Sequence, residues 1–165
     1  MQSRLLFYRI RILVLKDSIV LAHLLFGTLI ISVIVIFHIA GLILLAMFIK
    51  KLDEIYPLFK TNLGRFYLLL ISVFVIIAIH TVEAWSWAYV YMYLGEFTDL
   101  EEALYFSVVT ATTLGYGDIT LSPEWQLVST FEAMGGLLLF GVSTAFLIAV
   151  TRRLFEGISK NSEDE

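Results

Sequence analysis

Apolar side chains run without a charge from residue 19 to residue 49, between Asp17 on one side and Lys50 and Lys51 on the other. As a helix these 31 residues would reach about 46 Å, against a hydrocarbon core of about 30 Å. The pattern therefore predicts one membrane span that tilts, protrudes or bends, with Gly27 and Gly41 as bend points. A cleaved leader is not expected, because its apolar region would be only about 7–15 residues. A second run covers residues 66–94, broken by His80, Thr81 and Glu83 and ending in Trp85, Trp87, Tyr89, Tyr91 and Tyr93. Such rings favour the headgroup level and mark a membrane surface. The third run, residues 125–154, contains one carboxylate, Glu132, and is closed by Arg152 and Arg153.

Residues 95–124 are too short and polar to span, yet too apolar in the middle for a surface loop. They predict a re-entrant segment. Thr98-Asp99-Leu100-Glu101 fits a capping box with Thr98 as N-cap, opening a helix over 98–112. The fold class that follows is an all-α membrane protein with three transmembrane helices and a re-entrant helix and loop. The expected divisions are an interfacial segment 1–18, an extra span with its linker 19–65, a three-part module 66–155, and a tail 156–165. That module comprises an outer helix 66–94, the re-entrant helix and loop 98–118, and an inner helix 125–154. Residues 160–165 are expected to be disordered.

Composition agrees: 59% of the 165 residues are hydrophobic and 16% charged. Charge adds something the hydropathy does not. No Lys or Arg occurs between Arg65 and Arg152, while eight acids do. Nucleic acid, which needs a basic patch, is excluded as a partner, and cations are favoured. Without cysteine there is no disulfide, thiolate metal site or thiol nucleophile. No catalytic triad or phosphate-binding loop is present, so no enzyme and no cofactor are expected.

Irregular backbone at membrane depth must be buried in protein or line a water-filled path. In Gly115-Tyr116-Gly117 the glycines permit positive φ at alternate residues, so successive carbonyls can point the same way. Rings of carbonyls replace the hydration shell of a monovalent cation. Thr110-Ala111-Thr112-Thr113-Leu114-Gly115-Tyr116-Gly117-Asp118 resembles the pore loop of tetrameric potassium channels. The resemblance extends over about residues 66–154, and the preceding segment has no counterpart in the minimal two-helix members.

The resemblance implies a homotetramer, three further copies completing the pore, in which carbonyls of Thr113, Leu114, Gly115 and Tyr116, with Gly117 closing the filter, bind K⁺ as the permeant ion. Leu114 replaces the more usual valine without altering the backbone ligands. Thr112, Tyr105, Phe106 and Asp118 would support the filter, Tyr105 and Phe106 as part of an aromatic cuff and Tyr105 by a hydrogen bond to Asp118. Val109 stands where some members carry a glutamate that pairs with the aspartate after the filter, so that mode of inactivation is not expected. Gly136 lies near the family's hinge glycine, and Leu137, Phe140 and Thr144 would face the cavity.

Glu132 has several open roles: titrating with pH, bracing the filter from behind, facing the cavity, or bonding a pore-helix group while neutral. His80 and Glu83, at i and i+3, would share a proton or a metal, but two ligands do not make a metal site. His23 and His38 read as packed or interface histidines. Residues 19–49 carry no base, so voltage sensing is not expected of them. Filter orientation in the family puts the C-terminus in the cytoplasm and the N-terminus outside, in a multi-pass protein of the cell membrane surrounded by lipid. Arg4, Arg9, Arg11 and Lys16 then need an interfacial helix near the headgroups. The expected function is passive K⁺ conduction. A weakly selective cation channel and a nonconducting scaffold subunit are the alternatives.

Overall fold

The computed structural model describes residues 2–56 and 61–161, with side chains from 17–56 and 61–154. It contains four helices: α1 (Gln2–Ile55), α2 (Asn62–Tyr93), α3 (Leu100–Ala111) and α4 (Gln126–Asn161). Three are long and apolar enough to cross a membrane, over Asp17–Ile55, Asn62–Tyr93 and Gln126–Leu154. In lipid this is the expected solution, since a helix satisfies its backbone polar groups internally. From Gln2 on, the segment expected at the interface continues as one unbroken helix into the first span. Its side chains before Asp17 lie outside the described residues. The tail is helical as far as Asn161, and 162–165 lie outside the described residues.

Contacts fix the direction of the extra helix. His23 packs at a tilt against Trp125 with ring centroids 4.8 Å apart, and a Cβ on Gly27 would come within 2.5 Å of the Phe131 ring. Farther along, His38 meets Ser143. Numbers rise together in both helices, so α1 runs parallel to α4. Against α2 they run oppositely, His38 meeting Glu83 and Gly41 meeting Ile79. The N-terminal part of α1 thus lies at the same end as the α3 segment.

Packing forms two layers. Near α3, Ile34, Trp87, Tyr91, Phe97, Phe106, Val128 and Leu139 share a core; at the other end Leu42, Leu45, Ile49, Leu68, Ile76, Ile79 and Leu154 form a second. Lipid is as apolar as these side chains, so shape fit and interhelical hydrogen bonds hold the helices together more than burial does. The aromatic belt is corrected here. Trp85, Tyr89 and Tyr93 are exposed, but Trp87 and Tyr91 point inward and are buried. Residues at i and i+4 share a helix face, and an offset of two places a ring on the other side.

Candidate pore site

The re-entrant helix begins one residue later than the sequence suggests. Asp99, not Thr98, is the N-cap: its backbone is extended (φ −109°, ψ 134°) and its carboxylate accepts from the Glu101 and Glu102 amides at 2.8 and 3.1 Å. Both residue types cap well, and the one in the extended conformation takes the role. Glu96 accepts from the Ser122 amide and hydroxyl at 2.6 and 2.7 Å. That double bond ties the entry of the re-entrant segment to its exit. At the other end Thr112 caps α3 in the helical region, and Val109 O accepts from the Leu114 and Gly115 amides.

Beyond the cap, φ is positive at Thr113 (57°), Gly115 (52°) and Gly117 (76°). Alternation of left-handed and ordinary backbone turns successive carbonyls to one side. The glycines adopt this freely, whereas Thr113, with a β-branched side chain, holds it at roughly 1–2 kcal/mol of strain. Strain of this kind concentrates at functional sites. The sequence marks the two glycines but gives no sign of Thr113. Residues 112–118 are all exposed in the single chain.

Asp118 leaves this loop and accepts a hydrogen bond from the Tyr105 hydroxyl at 2.7 Å. That bond holds the Asp118 carboxyl below the usual carboxylate range and raises the Tyr105 phenol above its own. Phe106, the other aromatic expected to support the filter, takes a different direction from Tyr105 in the single chain. It faces the core, edge-on to Tyr91 at 5.2 Å and beside Phe97 at 5.4 Å. Successive helical positions differ by about 100°, so the two rings leave α3 in different directions.

Behind α3 lies Glu132, 1% exposed and fully enclosed by its own chain. This burial removes it from the cavity-facing candidates. Its carboxyl is 2.5 Å from the Tyr91 hydroxyl and 2.5 Å from Ser107 Oγ, and Ser107 Oγ is in turn 2.9 Å from the Ala84 carbonyl. Those three contacts need three hydrogens. Tyr91 donates to Glu132, and Ser107 has one hydrogen to give either to Glu132 or to the Ala84 carbonyl; all three contacts are served at once only when the carboxyl is neutral and donates to Ser107. The arrangement ties α2, α3 and α4 together. Neither Tyr91 nor Ser107 stands out in the sequence, because their meeting depends on helix rotation.

One turn after Glu132, Gly136 touches the end of α3. A Cβ there would overlap the Ala111 carbonyl, a backbone group that cannot swing aside. Close packing is thus an observed role of this glycine. Leu137, Phe140 and Thr144 are exposed on α4, with Phe140 also resting on the His80 ring at 4.4 Å. A re-entrant helix capped at both ends thus delivers an alternating loop between two long spans.

The family model described as ion channel matches residues 66–153, just over half of the chain. The chain belongs to the ion channel family. The match begins four residues into α2 and ends within α4, so the channel module comprises α2, α3 and α4 with the loop between them. Helix α1 lies outside it. No curated protein and no solved structure matches the channel.

Proposed function

We propose that this channel conducts K⁺ selectively as a homotetramer in the cell membrane. Alternating backbone at Thr113, Gly115 and Gly117 is the observation that carries the proposal. Carbonyls of Thr113, Leu114, Gly115 and Tyr116 would replace the water around a K⁺ ion, with Gly117 and Asp118 at the outer mouth. One loop supplies one side of a ring, so three further copies complete it. The exposure of residues 112–118 in the single chain fits a site that closes only on assembly. The ion moves down its gradient and no bond is made or broken, so neither cofactor nor catalytic residue is required.

Helix α3 directs its C-terminal, partially negative end toward the space beneath the loop, favouring a cation there. Leu137, Phe140 and Thr144 would line that space. Lys50, Arg65 and Arg153 gather at the opposite end from the loop, around one recess with Asp53. Basic residues favour the cytoplasmic side, so the loop opens outward and the C-terminal end of α4 faces the cytoplasm. In this reading α1, being parallel to α4, starts on the outer side. A thallium-flux assay on proteoliposomes tests conduction: filled vesicles should take up Tl⁺ rapidly. Gly115→Ala, which strains a left-handed position, should reduce uptake by at least tenfold at equal tetramer content. Uptake unchanged by Gly115→Ala would exclude this loop as the ion path.

A further inference from the structure

Glu83 sits in the middle of the second span, yet it is buried, and both of its oxygens are engaged by imidazoles. His38 Nδ1 of α1 lies 2.8 Å from Oε1, and His80 Nδ1 of α2 lies 2.8 Å from Oε2. The far nitrogens converge as well. His80 Nε2 is 3.0 Å and His38 Nε2 is 3.2 Å from Ser143 Oγ of α4. Four side chains from three helices close a ring. His80 and Glu83 alone are too few for a metal, and the fold supplies the third ligand, His38, from outside the channel module.

Counting hydrogens shows what the ring lacks. With both imidazoles neutral and the carboxylate ionised, His38, His80 and Ser143 offer one hydrogen each. The ring has four contacts. Ser143 has a single hydrogen and faces two ring nitrogens, so if each Nδ1–H points at Glu83, one Nε2 meets the hydroxyl lone pair to lone pair. A proton added to one imidazole would supply the fourth hydrogen; a metal cation held by the three convergent ligands removes the shortage in another way. Placed among the two Nδ1 atoms and the carboxylate, it would free each imidazole hydrogen to sit on Nε2. Both Nε2–H groups would then donate to Ser143, whose oxygen has two lone pairs for them. A hydrogen bond that fixes the distal nitrogen is the usual support for a metal-bound histidine.

We propose that His38, His80 and Glu83 form a binding site for a divalent transition metal of the Zn²⁺ type, supported by Ser143 and joining α1 to the channel module. Two imidazoles and one carboxylate are a donor set that Zn²⁺ accepts, while Mg²⁺ and Ca²⁺ prefer all-oxygen sites. At bond lengths of about 2.0–2.1 Å, tetrahedral ligands stand roughly 3.4 Å apart. The ligand atoms lie within 4.8 Å of one another, so side-chain rotations must open the 2.8 Å contacts by about half an ångström and draw any wider pair inward. Room for a fourth ligand is at hand, since His80 and Glu83 border a cavity of about 320 Å³. A water or hydroxide entering there completes the coordination.

The test uses the purified full-length channel in nanodiscs, with Zn²⁺ added in a calorimeter and Co²⁺ followed by its visible absorption. One Zn²⁺ should bind per chain, and Co²⁺ should give the strong bands of a four-coordinate site. His38→Asn and His80→Asn keep a donor toward Glu83 but remove the ligand, so they should preserve folding and abolish saturable binding. Ser143→Ala should weaken binding by roughly 10–100-fold. His23→Ala, which alters an imidazole outside the ring, should change nothing. No saturable Zn²⁺ uptake by the wild type, or equal uptake by the asparagine variants, would overturn the proposal. Binding is read without ion flux, so either result stands apart from whether the channel selects K⁺.

Discussion

Among the described residues two carboxyls, Glu83 and Glu132, lie buried inside the spans, and their partners give them different work. Glu132 meets hydroxyls, from Tyr91 and Ser107, and holds α3 against α2 and α4. Glu83 meets imidazoles, from His38 and His80, and holds α1 against α2 and α4. The first lies behind α3, and it and its partners fall entirely within the family-matched residues. The second reaches outside the match to recruit an added helix. A polar group in a span is costly wherever it sits, so each is retained with a complete set of neighbours. One joins the helices of the channel module to one another, and the other attaches α1 to them.

Substitutions can separate these roles. The largest effect is expected next to the Glu132 site, from Gly136→Ala. Its methyl would collide with the Ala111 carbonyl and push α3 from α4, so little monodisperse channel should survive size-exclusion chromatography in mild detergent. Glu132→Ala comes next. It strands the buried Tyr91 hydroxyl at roughly 1–3 kcal/mol and leaves a cavity besides. Thermal unfolding should fall by several degrees, and ion selectivity should deteriorate with it. Glu132→Gln offers the same donor and acceptor as a neutral acid and should stay within about 1 kcal/mol of the wild type. Equal damage from Gln and Ala would mean that the carboxyl is ionised and the hydrogen count is wrong.

Glu83→Leu should act on the other side of the comparison. Both imidazoles lose their acceptor, so hydrogen exchange should quicken in α1 while α3 stays protected and selectivity is kept. Loss of selectivity in that variant would erase the distinction between the two carboxyls. The smallest effect belongs to the exposed Tyr105–Asp118 pair. Asp118 is held below the ordinary carboxylate range, so the stabilisation is present above about pH 4 and disappears as pH falls through its lowered value. Tyr105→Phe should return the Asp118 titration toward the ordinary range, as followed by carboxyl infrared bands, with little change in stability.

The legible parts were those written in contiguous residues. Three apolar runs gave the spans, and the Gly115-Tyr116-Gly117 segment announced a loop with positive φ. Helix rotation was not legible. Whether Tyr91 joined the membrane-surface rings or the interior depended on a turn of about 200° from Tyr89, and the structure sends it to Glu132. His38 read as a packed histidine because its partners lie 45 and 105 residues away. The cap at Asp99 was missed for a local reason: Thr98 and Asp99 are both good caps, and only backbone geometry distinguishes them.

The measurement that bears most directly on the account is the reversal potential of the reconstituted channel in a planar bilayer, with K⁺ on one side and Na⁺ on the other. A carbonyl filter built on Thr113, Gly115 and Gly117 predicts a reversal close to the potassium equilibrium potential, moving toward zero in Gly115→Ala. Robust current in the wild type that reverses at zero would contradict it.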